Sequence, residues 1–135
     1  MIVVDTNVLA YFFINGEFSK AAECVFSRDP QWAAPLLWRS EFRSVLVKCI
    51  AKNSLGLEDA VDIMRAAELL MTGCEYAVPS LDVLRLAASS RCSAYDAEFV
   101  ALAREAGLKF VTVDADLQRA FPGIAVSPER FLRDA

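Results

Sequence analysis

The chain has no histidine, and that absence removes every catalytic triad built on an imidazole and every zinc set that needs one. Its four cysteines, Cys24, Cys49, Cys74 and Cys92, lie far apart with no C-x-x-C pair. Cys49 and Cys92, set among apolar or small residues, are expected to be reduced core thiols in a cytoplasmic protein. No run of eighteen apolar residues occurs, so no membrane span is expected. The opening residues carry neither a positively charged leader region nor a cleavage site, and no signal peptide is expected. Excess positive charge is missing too. A net charge of −4 and a pI near 4.8 argue against a protein that simply coats a polyanion. There is no repeat, linker or low-complexity stretch, and 135 residues make one ordinary domain. What is present is apolar content: 56% of residues are hydrophobic, more than a monomer of this size ordinarily buries. A subunit interface or a partner groove is therefore expected.

The first twelve residues organise the rest. Ile2, Val3 and Val4 form an uninterrupted β-branched run, the pattern of a strand buried on both faces of a parallel sheet. Asp5 ends it. Thr6 and Asn7 are helix-starting residue types, and Val8, Leu9, Tyr11 and Phe12 follow at helical spacing. The reading is strand, acid, helix, which sets a carboxylate at the carboxyl edge of a buried strand, where open α/β sheets bind ligands. Further along, helices are expected over 18–26, 36–52, 57–72, 80–89 with Ser80 as its N-cap, and 97–106 closed by Gly107. In the 57–72 helix, Val61, Met64, Ala67 and Met71 are expected to face inward. Strands are expected at 32–35, 76–78, 109–113 and 123–126, and Ser127-Pro128 starts a last helix. Strands alternating with helices imply an α/β fold, a small parallel sheet layered with helices.

Five acids stand out by position. Asp5 and Asp114 each end a strand, Asp96 opens a helix, Glu41 borders the packed side of another, and Asp116 lies two residues past Asp114. Thr112 shares a strand face with Asp114. Each acid also has a purely structural reading: Asp5 and Asp114 as helix caps, Asp96 as the second half of a capping box with Ser93, Asp116 as a first-turn acid. If these edges converge, a passive cluster is excluded. Two carboxylates about 4 Å apart repel by about 4 kcal/mol at an effective dielectric near 20. No Lys or Arg lies within the strand–acid motifs, so the natural counter-charge is an oxygen-seeking divalent cation, Mg2+ or Mn2+. Such a site suits phosphodiester hydrolysis.

Four segments, in this order and spacing, carry a resemblance: I-V-V-D-T-N-V-L at the start, W-R-S-E-F-R around Glu41, S-A-Y-D-A at Asp96 and F-V-T-V-D-A-D-L at Asp114. Together they resemble a PIN-domain protein nearly end to end, residues 1–135 forming a single PIN domain in α/β/α layers. Within that family the compact chain is similar to the toxin half of a VapBC toxin–antitoxin pair. The resemblance implies a Mg2+- or Mn2+-dependent endoribonuclease. Asp5, Glu41, Asp96 and Asp114 match the acidic quartet, Asp116 a further acid, and Asn7 and Thr112 supporting polar positions. Asp5, Asp96 and Asp114 would hold metal, and Glu41 would bind a second ion or orient the attacking water. It further implies an RNA substrate, a homodimer, and a small cognate antitoxin whose C-terminal segment lies across the site. Arg39 and Arg43 bracket Glu41 and are the candidate RNA contacts, whereas Lys48 and Lys52 read as a solvated helix face.

Three other readings compete with this one. A haloacid-dehalogenase-type phosphohydrolase would need an acid at position 7, where this chain has Asn7. A receiver domain would need paired acids near the first strand and a late lysine after a strand, but Lys109 precedes its strand. The third is a PIN-like module that binds RNA or a partner without cutting, against which all four matched acids are present.

Overall fold

The computed structural model describes residues 1–134. Five short strands build one parallel sheet: β1 (Ile2–Val4), β2 (Trp32–Pro35), β3 (Glu75–Tyr76), β4 (Phe110–Val111) and β5 (Ala125–Val126), in the order β3-β2-β1-β4-β5. β1 is central because it is apolar on both faces. Ile2, Val3 and Val4 are all buried, with Val3 set between Ala33 of β2 and Phe110 of β4. Between the strands run α1 (Thr6–Phe13), α2 (Ser19–Arg28), α3 (Trp38–Ala51), α4 (Leu57–Leu70), α5 (Ser80–Ser90), α6 (Ala94–Ala106), α7 (Ala115–Ala120) and α8 (Pro128–Arg133).

Strand order fixes where the helices lie. The steps β1 to β2 to β3 move one way across the sheet, and right-handed crossovers put their helices on one face. The return from β3 to β4 puts α5 and α6 on the other. Packing agrees, since α6 lies on β1, β2 and β4 while α1 packs with α2, α3 and α4. The direction of travel reverses between β1 and β4, so their carboxyl ends flank a topological switch point, the crevice where α/β sheets take ligands. The core beneath is aromatic-rich. Trp32, Trp38, Phe42 and Phe110 are fully buried, and Trp32 meets the rings of Phe12 and Phe26 at 5.2 and 5.4 Å.

Several elements differ locally from the sequence expectation. β4 is limited to Phe110–Val111 rather than 109–113, because after Thr112, whose N–H still bonds Val126 O, the chain turns outward toward Asp114. β3 begins a residue earlier and ends at Tyr76, with Ala77 and Val78 carrying the chain to Pro79. Ser80 lies inside α5 and makes no capping bond; Pro79 occupies the cap position. In α4 Ala67, and just past its end Met71, are buried as expected, but Val61 is exposed and Ala60 takes its place in the core. At the end of α6, Gly107 adopts a left-handed conformation (φ 68°) that closes the helix without a Cβ penalty.

Candidate active site

Helices that follow parallel strands start at the carboxyl edge of the sheet, so their N-termini gather there. Three acids sit at such starts, and Asp96 joins them at the start of α6, which follows α5 rather than a strand. Asp5 is the N-cap of α1, Glu41 lies in the first turn of α3, Asp96 in the first turn of α6, and Asp114 is the N-cap of α7. The positive ends of the helix dipoles favour carboxylates at these positions, roughly 0.3–1 kcal/mol each. Capping and site-building are therefore not alternatives, because one side chain does both. The helix expected over 36–52 would set Glu41 past its first turn; α3 begins at Trp38, so Glu41 stands in the first turn instead.

The four acids line one open cleft of about 260 Å3, together with Thr6, Asn7, Ser44, Val45 and Lys48. Neutral hydroxyls hold two of them in place. The Thr112 hydroxyl donates to Asp5 Oδ2 at 2.5 Å and accepts the Asp114 N–H at 3.1 Å, tying the ends of β1 and β4 together. Asn7 N–H reaches Asp5 Oδ1 at 3.4 Å. Buried Thr6 donates to Glu41 Oε1 at 2.8 Å, leaving Oε2 for other work. Asp114 Oδ1 accepts from the N–H groups of Asp116 and Leu117, and Ser93 Oγ caps the N–H of Asp96. Thr6, Ser44 and Glu98 were not singled out in the sequence. Thr6 had a signal in its position next to Asp5, whereas Ser44 and Glu98 had none beyond helical spacing from Glu41 and Asp96.

The electrostatics are those of crowded anions. Burial pushes the Asp5 carboxyl above its ordinary value, the Thr112 and Asn7 hydrogen bonds oppose that, and the charges of Asp96 and Asp114 add to it. Burial likewise raises Glu41, with Thr6 opposing and Asp5, Asp96 and Glu98 reinforcing. Asp96 is raised by burial, lowered by Ser93 and raised again by Asp114. These carboxyls hold protons more tightly folded than unfolded, so stability must fall as pH rises from the ordinary carboxylate range through their elevated values. The metal-free protein is accordingly expected to melt at a higher temperature at the upper edge of the ordinary carboxylate range, about pH 4.5, than at about pH 7.5. A melting temperature that rises steadily with pH over that span would contradict the crowding.

The remaining candidates fall elsewhere. The Asp116 side chain is 87% exposed and pairs with Arg119, outside the cleft. Arg39, expected as an RNA contact, is committed to structure. Its guanidinium bonds Glu68 Oε2 at 2.7 Å and Glu75 at 2.7 and 3.0 Å, and Glu75 also accepts Trp38 Nε1 at 2.6 Å. Arg39 and Glu41 are two residues apart, so a helix turns them to different sides. Arg43 is exposed and does not line the cleft. Glu75→Ala would leave the buried Trp38 indole without its acceptor and Arg39 with Glu68 alone. Unfolding titrations are expected to show a loss of about 2–3 kcal/mol with the acidic cleft unaffected. A loss under about 0.5 kcal/mol would show that the network is ornamental.

Whether these residues suit a cation is decided by donor chemistry. The cleft offers carboxylate, hydroxyl and amide oxygens and no thiol or imidazole, a donor set for a hard ion such as Mg2+ or Mn2+. Among the described residues, no three acids close into a tight ligand cage. Carboxylates that repel one another stay apart without a counter-charge, and a small hard cation that retains several waters needs only one or two direct carboxylates. An open, acid-lined cleft fits such an ion.

A parallel sheet with acids gathered at its switch point defines a class, α/β proteins with an oxygen-donor cleft at the carboxyl edge. Comparison with known proteins makes the assignment specific: the PIN domain model matches residues 2–121, and the chain belongs to the PIN domain family. It is 29% identical over 132 residues to ribonuclease VapC3 of Pyrobaculum aerophilum, covering 91% of this chain and 96% of that one. Its fold is shared with the crystal structure of PAE2754 from Pyrobaculum aerophilum (TM-score 0.71, 24% identity, 98% of this chain and 94% of that one). It is shared also with a toxin–antitoxin complex from Klebsiella pneumoniae (TM-score 0.65, 20% identity, 95% and 98%). Among the described residues no helix is long and apolar enough to cross a membrane.

Proposed function

We propose that this chain, acting as one PIN domain over residues 1–135, is a cytoplasmic Mg2+- or Mn2+-dependent endoribonuclease and the toxin of a VapBC-type pair. The observation that carries the reading is the meeting of Asp5, Glu41, Asp96 and Asp114, from four separate elements, in one cleft too negative to suit an organic anion alone. The likeness to a protein named ribonuclease VapC3 supports RNA as the substrate, and the fold shared with a toxin–antitoxin complex supports an antitoxin partner.

Asp5, Asp96 and Asp114 would hold the cation, with Glu41 reaching a second ion or the attacking water. When bound, the cation neutralises the carboxylates, polarises the phosphodiester and acidifies water. The chain's own groups do the rest. Thr112 holds Asp5 through Oδ2 at the cleft wall, and the Asn7 amide at the rim can donate to a phosphate oxygen. Glu41, anchored through Oε1 by Thr6, offers Oε2 as acceptor for the proton that water loses as its oxygen attacks phosphorus, while the P–O bond to the leaving ribose oxygen breaks and that oxygen takes a proton from solvent. A carboxyl with a raised pKa is a better base for that role than an ordinary one.

An apolar groove lined by Ala10, Tyr11, Ile14, Phe18, Val45 and Cys49 runs on from the cleft and offers a seat for the antitoxin's C-terminal segment. A homodimer would cover exposed apolar side chains such as Leu69, Leu81 and Leu84. The toxin reading is tested by induced expression with and without any short open reading frame found beside the gene. Growth arrest relieved by co-expression is expected. Normal growth at high expression of the chain alone would remove the toxin reading.

A further inference from the structure

The acidic cleft contains one basic side chain, Lys48, and the proposed function assigns it nothing. Glu41, Ser44, Val45 and Lys48 follow the spacing i, i+3, i+4, i+7 and form a single stripe of α3 along the cleft wall. Side chains of an α-helix lean toward its N-terminus, so the Lys48 stem slants back toward Glu41. Among the described residues no carboxylate lies within 4.0 Å of its ammonium group, although the cleft it lines holds four acids. Arg39, by contrast, has three charge-assisted bonds inside the protein. The Lys48 ammonium is thus an uncommitted cation beside an anionic centre. Such a charge repels a divalent ion bound there and attracts an anion bridged to it.

We propose that Lys48 is a substrate-binding residue that contacts a phosphate of the RNA strand as it enters the cleft, with Ser44 Oγ beside it on the same stripe as a second donor. The proposal rests on the nuclease reading above. A polyanion must approach a pocket of at least four carboxylates, and a cation fixed at the rim offsets the repulsion that the metal does not cancel. Ammonium on a flexible stem suits a single phosphate without demanding a bidentate geometry.

The test compares wild type with Lys48→Ala, Lys48→Arg and, as a control on the same helix but outside the cleft, Lys52→Ala. The substrate is a fluorescein-labelled single-stranded RNA pool of randomised sequence in fixed Mn2+. Lys48→Ala is expected to raise KM roughly five- to tenfold with kcat within about twofold, and to lower the magnitude of the slope of log KM against log salt by about 0.7, the share of one phosphate contact. Lys48→Arg should keep the slope, and Lys52→Ala should match wild type. A second readout runs in the opposite sense. Losing a positive charge from the rim should tighten Mn2+ binding, read as a larger Mn2+-induced rise in melting temperature.

If Lys48→Ala behaves as Lys52→Ala does in both measurements, Lys48 is a solvated lysine and the proposal is wrong. Loss of the Mn2+ effect, or a lowered melting temperature without metal, would make its role structural and also overturn it. Absence of cleavage by wild type would count against the nuclease reading alone. Binding of the same RNA, followed by fluorescence anisotropy, then still distinguishes Lys48→Ala from wild type.

Discussion

Asp5→Asn is expected to abolish RNA cleavage while leaving the protein folded and, without metal, at least as stable as wild type. The two effects share a cause. Asp5 is pushed toward its neutral form by burial and by Asp96 and Asp114, so its charge is a burden on the metal-free fold. Asparagine keeps one acceptor oxygen for the Asn7 N–H and is a good N-cap for α1, while its amide N–H can donate to the Thr112 hydroxyl oxygen in place of the bond that hydroxyl gave Asp5 Oδ2. What it loses is the negative charge that holds a cation. A bound cation contributes several kcal/mol to such reactions, so cleavage should fall by roughly a thousandfold or more. Expression of the variant should no longer arrest growth. Arrest by Asp5→Asn at wild-type expression would mean that Asp5 has been misassigned, and a melting temperature lowered by more than about 5 °C would show it to be chiefly structural.

Metal itself should produce the second large effect. Cleavage is expected only with added Mg2+ or Mn2+ and should stop when a chelator is in excess. A ligand that binds the folded state alone at a hundred times its Kd adds about 2.7 kcal/mol, which for a domain of this size raises the melting temperature by roughly 8 °C. Mn2+ should do this for wild type and not for a protein carrying both Asp5→Asn and Asp96→Asn. Cleavage that continues undiminished in chelator would refute the proposed chemistry whatever the melting data show. An equal rise in both proteins would place the ion somewhere other than this cleft.

The contrast between Asp5 and Asp116 explains how far the site could be read from the chain. Both are acids near a strand end, and both satisfy a helix start. Asp5 follows the last residue of a central strand, so its position relative to the sheet edge was determined locally. Asp116 lies in the first turn of α7, and only the direction of that helix decided that its side chain would meet Arg119 in solvent. Arg39 and Lys48 show the same difficulty among the cations. Adjacency to Glu41 in sequence favoured Arg39, yet on a helix the neighbours of residue 41 are 44, 45 and 48. Glu68 and Glu75, which claim Arg39, come from α4 and β3, about thirty residues on.

The sequence by itself determined the alternation of strands and helices, the buried β1 run, and the acids that end strands or open helices. These follow from side-chain periodicity and backbone preferences that act over a few residues. Only the tertiary structure decided that β1 and β4 lie side by side, that Thr112 reaches Asp5 across 107 positions of chain, and that Lys48 rather than Arg39 faces the acids. Those outcomes depend on strand order and on the rotation of each helix about its axis. Both are fixed by burial of apolar surface summed over the whole domain, which no local stretch of residues encodes.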